Sequence, residues 1–310
     1  MADAQSSTAD QLFVRPTQTS HTDSQPPSCE DTQHQMDSQK EKDSTRNHVL
    51  PTTSKPSTSS PAESTGSENA VWSHLMATVR PTLLAEIELI LLTIFTGMQD
   101  AVSFPDYHCF ASNQTGNTVF LMLALVLPHL NGEMFFTANI GAALGFFLAG
   151  GWLTGQLSHI IGPRNRLWLI ACNFWQSVLV FGAGAIQHVY GIDMVGSRTI
   201  AVISLLAFAS GSQVVQSRSL AMTEISTAMA TAAWVDLLID PKLFVLSNRP
   251  RTRRVVFLFA LVVGALLGAA IYRTVGSSVA ILVSAGGKML VAIMYLFNEA
   301  EKPKEEDSTV

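Results

Sequence analysis

Amide, hydroxyl and carboxylate side chains interrupt the apolar sequence between residues 97 and 118, and such groups can bind a small solute or an ion. Polar sequence is costly at membrane depth unless it is buried in protein or lines a wet cavity. Glycine within it permits a tight, close-packed turn. The block therefore predicts a binding site. Its candidate residues are Gly97, Gln99, Asp100, Asn113, Thr115, Gly116 and Asn117.

Asp100 lies near the far end of the first apolar run, where a carboxylate is rare unless it is paired, hydrated or protonated. One interpretation is a proton or cation site that Asp100 shares with Asn113, Asn117 and nearby backbone carbonyls. The other is an interfacial aspartate that caps the turn after the helix. The residues alone leave both interpretations open.

Two further charged residues are candidates for the same site. Lys288 lies in the middle of the last apolar run, and Glu224 lies in a weakly apolar stretch. An ammonium at mid-membrane needs a partner, and Asp100, Glu88 and Glu224 are the carboxylates we consider. Snorkelling to the interface is the alternative, but it is strained at mid-span, so a buried role is favoured for Lys288.

Long apolar runs must carry these residues. The chain is 47% hydrophobic and only 14% charged, and a stretch of about 18 or more apolar residues is typical of a membrane span. We predict an all-α, polytopic helical membrane protein with about six spans plus two short or re-entrant segments, or up to eight helices. The strong runs are 84–104, 134–157, 167–187, 199–216, 255–272 and 277–297, and the weak ones are 110–130 and 220–239.

The two ends of the chain differ from this membrane domain, which we place at 81–298. Residues 1–70 contain 23 Ser or Thr and 6 Pro, and such a segment buries too little apolar surface to offset chain entropy. We therefore predict a disordered N-terminal tail over 1–80. A short charged tail follows at 299–310.

The positive-inside rule favours six spans over eight. If all eight stretches cross, Arg164 and Arg166 fall outside while the 240–254 cluster is inside. If the two weak stretches dip in without crossing, Arg164, Arg166, Arg218 and the 242–254 cluster all fall inside. The six-span arrangement places both termini in the cytoplasm.

The two weak stretches follow similar segments. Gly97–Ser103 can be laid on Gly211–Ser217, and an apolar span precedes each segment. With six spans, the two halves would have opposite orientations. Inverted repeats with interrupted helices are a transporter architecture in which the binding site lies at the repeat interface.

Small and amide residues within the runs predict helix packing. Gly141, Gly145, Gly151 and Gly155 form two GxxxG spacings, which bring helix backbones close together in lipid. Packing within the chain is the favoured interpretation, and these faces also allow a homo-oligomer. We expect interhelical hydrogen bonds from polar side chains in the spans, which are Asn139, Asn173, Gln176 and Gln213.

Several function classes find no support in the sequence. No basic run interleaved with aromatics indicates nucleic-acid binding. The three cysteines, Cys29, Cys109 and Cys172, form no CxxC pair, and no metal or cofactor is predicted. HExxH, GxSxG and credible Ser/His or Cys/His constellations are missing from the spans, so we do not expect an enzyme.

The segment Gly97–Ser103, followed by Phe110 and residues 113–118, resembles the signature of the YoaK-like membrane proteins, a domain of unknown function. Residues 224–236 resemble that family's later motif, although Ala230-Thr231-Ala232 stands where a Thr-Gly pair is common. The resemblance covers about 84–297. It implies a multi-pass membrane protein and brings no established activity, ligand or catalytic residue.

These observations predict a transporter or channel for a small solute or an ion, with the lipid bilayer as its surroundings. The alternative is a non-catalytic membrane scaffold whose Ser/Thr-rich tail recruits partners or is phosphorylated. An intramembrane enzyme is the less favoured third interpretation.

Overall fold

The computed structural model describes residues 65–245 and 247–301, which form helices without a β-strand. Most of the predicted N-terminal tail and the last nine residues lie outside these ranges. The α-helices are α1 (Thr65–Met76), α2 (Leu83–Tyr107), α3 (Gln114–Val126), α4 (Thr137–Ile161), α5 (Arg166–Tyr190), α6 (Ser197–Ser219), α7 (Ala230–Leu238), α8 (Arg249–Thr274) and α9 (Ser277–Met294).

Six of the described helices are long and apolar enough to cross a membrane: α2, α4, α5, α6, α8 and α9, the last continued by a 3₁₀ turn to Phe297. A helix of 25 residues such as α2 is about 37 Å long, which exceeds a hydrocarbon core of about 30 Å. The nine residues of α7 span only about 13 Å and the 13 residues of α3 about 20 Å. The predicted all-α membrane fold is confirmed.

Helix directions can be followed through the contacts of α9. Gln99 on α2 bonds Ser284, and a Cβ at Gly287, one turn further along α9, would meet the ring of Phe95. Ser177 on α5 bonds the Ala285 carbonyl, and a bond also joins Gln187 to Ser277. In both helix pairs, residue numbers on α9 rise as the numbers of the contacting residues on the other helix fall. Helices α2 and α5 are therefore both antiparallel to α9 and parallel to each other.

Helix α6 fixes the direction of α4. Its contacts with α5 are antiparallel, since Gln176 bonds Gln216 while Gly182 lies against Leu205. Helix α6 is parallel to α4, since Gly150 faces Phe208 and, further along both helices, Thr154 donates a hydrogen bond to Ser212. Helix α4 therefore runs opposite to α2, so the intervening α3 enters and leaves at the same end of the bundle.

The same reasoning applies to α7. Helix α8 is parallel to α2, because Gly264 faces Ile94 and Gly268 faces Met98. Helix α8 is thus opposite to α6, and α7 also returns to the end from which it came. The described chain has six spans, with α3 at one end, called the α3 side, and α7 at the other, called the α7 side.

The helices form two equivalent halves, α2–α5 and α6–α9, each with the order long, short, long, long. Exchanging the halves preserves the packing pattern. Helix α2 packs on α8 as α6 packs on α4, α2 packs on α9 as α6 packs on α5, and α3 lies on α4 as α7 lies on α8. Because each half crosses three times, the halves have opposite orientations, as the sequence repeat predicts.

Glycine contacts give the register of this repeat. A Cβ at Gly97 would lie 2.6 Å from the Leu261 carbonyl oxygen, and one at Gly211 would lie 2.1 Å from that of Phe147. Both pairs are related by the same shift of 114 positions (97 to 211, 147 to 261). The close packing of α2 on α8 is thus reproduced, residue for residue, in the packing of α6 on α4.

Four helices, α2, α9, α5 and α6, form an inner ring in which each packs on the next. Helix α8 lies outside α2, and α4 lies outside α6. Gly151 and Gly155 on α4 face Val215 of α6, so this pair packs within the chain, as the favoured interpretation predicts. A Cβ added at Gly141 or Gly145 would have no atom within 4 Å.

The structure differs from the predicted boundaries at two places on the α7 side. Residues 65–80, assigned to the tail, contain α1 and a segment in which Thr78 pairs with Asn165 and Val79 with Ala300. The fifth span, α8, begins earlier than the predicted residue 255, at Arg249, because Asn248 accepts a hydrogen bond from the Arg251 amide and Pro250 suits a first helical turn.

Candidate solute-binding site

The polar block at 97–118 divides into two parts with different surroundings. Asp100 accepts hydrogen bonds from the Ser112 amide at 2.8 Å and from its hydroxyl at 2.5 Å. This is the geometry of the capping interpretation, because the carboxylate ties the loop after α2 back to the helix. Among the described residues, neither the Asn113 nor the Asn117 side chain has a hydrogen bond to Asp100.

Asn113 and Asn117 fold the start of α3. Asn117 is fully buried and exchanges hydrogen bonds with both backbone groups of Phe110, at 2.9 and 2.8 Å. Asn113 caps the helix by accepting from the Gly116 amide at 3.4 Å. Thr115 is exposed. Asn113 and Asn117 therefore hold the loop to the start of α3.

An aromatic cluster fills the space under α3. The rings of Phe104 and Phe110 stack with centroids 4.7 Å apart, and Phe120 lies 6.2 Å from Phe110 and 5.9 Å from Phe135. A Cβ at Gly116 would lie 3.1 Å from the ring of Phe110, so glycine allows this close approach. Aromatic side chains therefore occupy the space beneath α3.

Lys288 and Gln213 form a buried polar contact between α9 and α6. Lys288 is 0% exposed, and its Nζ donates a hydrogen bond to Gln213 Oε1. Gln213 in turn donates to Thr96 Oγ1 at 2.8 Å on α2. Three of the four inner helices thus meet at one polar point near mid-span.

The prediction that a carboxylate pairs with Lys288 is wrong. Among the described residues, no carboxylate oxygen lies within 4.0 Å of its ammonium. Asp100 is bonded to Ser112, and Glu88 accepts from Asn298 Nδ2 at 2.8 Å. Each carboxylate satisfies its oxygens close to its own helix end, and an amide takes the place beside the lysine.

Glu224 belongs to a charged cluster on the α7 side. Its Oε2 lies 3.4 Å from Arg253, which also binds Glu86 together with Arg249. In the loop before α8, the Lys242 amide and the Asn248 side chain hold the pKa of Asp240 below its usual range. The candidate Glu224 is therefore an interfacial ion-pair residue.

Gln99 extends the Lys288 contact by one helical turn. Its Nε2 donates to Ser284 Oγ at 2.5 Å, and its Oε1 has no hydrogen-bond partner among the described residues. Gln99 and Lys288 are thus the two predicted residues that lie in the polar interior. Thr96 and Ser284 were missed, although Ser284 precedes Lys288 by four positions and so shares its helix face.

Three of the four amides predicted to bond helices together do so. Gln176 on α5 donates to Gln216 at 2.9 Å and to Ser212 at 3.1 Å on α6. Asn139 on α4 donates to the Tyr107 and Met194 carbonyls. The Asn173 Nδ2 bond stays within α5, however, and goes to the Leu169 carbonyl. The prediction is confirmed for Asn139, Gln176 and Gln213.

A cavity of about 360 Å³ opens on the α7 side, beneath α7. Its walls include Ser217 and Arg218 from the end of α6, and Glu224, Ser226 and Arg254 from the loop and α8. Under the repeat, this place corresponds to the space beneath α3, which the aromatic cluster fills. The two halves therefore differ here, since a cavity lies beneath α7 and an aromatic cluster lies beneath α3.

A family model described as a protein of unknown function (DUF1275) matches residues 89–294. This range contains the polar interior and both short helices. A search of curated proteins and a search of solved structures each found no match.

Proposed function

We propose that this chain, which belongs to the DUF1275 family of proteins of unknown function, is a membrane transporter for a small solute or an ion. Its six apolar spans are those of an integral, multi-pass membrane protein. The motif at 97–118 supports a place among the YoaK-like members of the family.

The observation that carries the proposal is the buried contact of Lys288 with Gln213. A charged side chain inside a membrane protein is costly, and such residues usually serve a substrate or ion pathway. Lys288 is 0% exposed and bonds a neutral amide. The cost of burying this ammonium is therefore not offset by a structural ion pair within the described chain.

The position of Lys288 supports transport over scaffolding. It lies in the inner ring, where the two inverted halves meet through α2, α6, α5 and α9. Transporters built from inverted repeats bind their solute at this interface and expose it alternately to each side. The open cavity under α7 and the packed cluster under α3 fit a state that is open toward the α7 side.

The α7 side is proposed to be cytoplasmic. It carries most of the described basic residues near the membrane ends, including Arg164, Arg218 and the arginines from 249 to 254, whereas the α3 side has Arg198 and Arg273. Basic residues concentrate in cytoplasmic loops. Both termini are then cytoplasmic, as the sequence predicts.

The proposal includes no catalytic step. It leaves a homo-oligomer open through Gly141 and Gly145, whose α4 face has room for a close neighbour.

Flux measurements on the purified full chain in liposomes test the proposal. Uptake of a panel of small neutral, cationic and anionic solutes is compared with protein-free liposomes. We expect at least one solute to cross faster with protein. We expect Lys288→Gln to lose that flux while keeping its thermal unfolding transition, and Lys242→Gln, in an exposed loop, to keep both.

Two results would overturn the proposal in different ways. Unchanged flux in Lys288→Gln would contradict the assignment of the site to Lys288, although the protein would still be a transporter. Equal leakage of the whole panel with and without protein would contradict transport itself.

A further inference from the structure

We propose that the solute held beside Lys288 is a small monoanion; this inference rests on the proposed transport function. The structure places the Lys288 side chain in the polar interior and bonds it to a neutral partner. An anion of a single charge would complete the pair.

The first reason to infer an anion is the charge balance of the membrane interior. The described carboxylates nearest the spans already have partners: Asp100 has Ser112, Asp106 has Gln187, Glu88 has Asn298 and Glu86 has two arginines. None lies within 4.0 Å of Lys288. A buried cation is strongly disfavoured unless it is paired and hydrogen-bonded. A negative charge that pairs with the ammonium form of Lys288 would therefore come from outside this set of residues.

The hydrogen-bond donors around the ammonium carry the second step. An ammonium has three N–H donors, and the described structure uses one of those of Lys288, toward Gln213. Ser284 accepts a bond from Gln99, which leaves its own O–H free to donate. Because Ser284 and Lys288 are four positions apart, their donors lie on one face of α9.

The uncharged groups beside these donors suit an anion of modest size. Gln213 and Thr96 bring no second charge, so a dianion would leave one negative charge unpaired. Gln99 Oε1 offers one open acceptor, which a water that accompanies the anion, or a hydroxyl of the anion, can fill. A metal cation or an organic cation would meet the ammonium as a like charge.

The cavity on the α7 side, whose lining does not include Lys288, presents an arginine that could bind an anion. Arg218 lines the cavity there, and its guanidinium bonds the Met229 sulfur and no described carboxylate within 4.0 Å. Glu224 and Asp236 in the same wall are each opposed by an arginine, Arg253 and Arg254. The wall holds two arginines and two carboxylates, and Arg218 is the arginine that has no described carboxylate within 4.0 Å.

Currents from liposomes on a solid-supported membrane test this inference. Thiocyanate, nitrate, formate and acetate are applied as potassium salts, and potassium is then exchanged for sodium or choline with the anion held constant. We expect a charge displacement that depends on the anion and is unchanged by the cation exchange.

A pair of variants at one position isolates the charge. Gln213→Glu places a carboxylate at the hydrogen-bonding position of Lys288 and supplies an internal counter-ion, so it should reduce the anion current by about tenfold or more. Gln213→Leu removes the same amide without adding charge and should retain more current than Gln213→Glu. Lys288→Arg should retain part of it, because the cation remains.

The outcomes separate the inference from the proposed function. Currents that depend on the cation, or flux confined to neutral solutes, would contradict the inference that the solute is an anion. The proposed transport function would still stand. Gln213→Glu and Gln213→Leu with equal currents would also overturn it, because the effect would then come from lost packing. Neither current nor flux for any solute would contradict transport.

Discussion

Gly97 on α2 and Gly211 on α6 occupy equivalent positions in the two halves, each pressed against a backbone carbonyl of its neighbouring outer helix. The two contacts are related by one constant shift along the chain, so they report a duplicated packing unit rather than two unrelated close approaches. The binding site that we propose lies where these two units face each other.

Substitution of either glycine should weaken the bundle by a similar amount. A Cβ would lie 2.6 Å from Leu261 O at Gly97 and 2.1 Å from Phe147 O at Gly211, and overpacking of this kind costs about 1–3 kcal/mol. We expect Gly97→Val and Gly211→Val to lower the thermal unfolding temperature in detergent. Gly145→Val is the matched control, since its added Cβ meets nothing within 4 Å. An equal loss in all three variants would contradict the packing account.

Asp100 should matter for stability more than for solute binding. Asp100→Ala removes two hydrogen bonds to a carboxylate, each worth about 1.5–3 kcal/mol, and frees the loop that precedes α3. We expect a lower free energy of unfolding with an unchanged half-saturating solute concentration. Asp193→Ala, an exposed carboxylate on the same side, should change neither quantity. A raised half-saturating concentration at normal stability would instead support a direct role for Asp100 in binding.

The difference between the two ends can be measured by thiol labelling. In a background with Cys29→Ser, Cys109→Ala and Cys172→Ala, Ser226→Cys lines the cavity under α7, whereas Ala111→Cys is buried on the α3 side. We expect a membrane-impermeant methanethiosulfonate to modify the first variant from the α7 side and to leave the second unmodified without solute. The opposite pattern would mean that the α3 side is the open one.

The fold could be predicted further than the site. Apolar runs together with the positive-inside rule predicted the six spans, and the match of Gly97–Ser103 with Gly211–Ser217 predicted the repeat. The equivalence of α4 and α8 could not be predicted, because their shared features are single glycines, Gly150 and Gly264, in otherwise different apolar sequence. The start of α8 could not be predicted either, because the arginine-rich sequence at 249–254 is typical of a loop but is helical in the structure.

The site shows why motif density is a poor guide inside a membrane protein. The conspicuous polar block mostly satisfies itself, since Asp100 and Asn117 bond the loop that contains them. Lys288, on which the proposed site depends, is the one charged residue in its apolar run, and its partner Gln213 is 75 positions away on another helix. Such a pairing depends on how inverted halves pack, which a single sequence does not reveal.

The most direct test of the central claim is the ratio of initial solute uptake rates between Lys288→Gln and the unaltered protein, at equal reconstitution in liposomes. Loss of one partner of a buried charge interaction costs about 2–5 kcal/mol, so we predict a rate at least about 30-fold lower. Lys242→Gln should keep the full rate. Equal rates for Lys288→Gln and the unaltered protein would contradict the assignment of the transport site to the interface between the two halves.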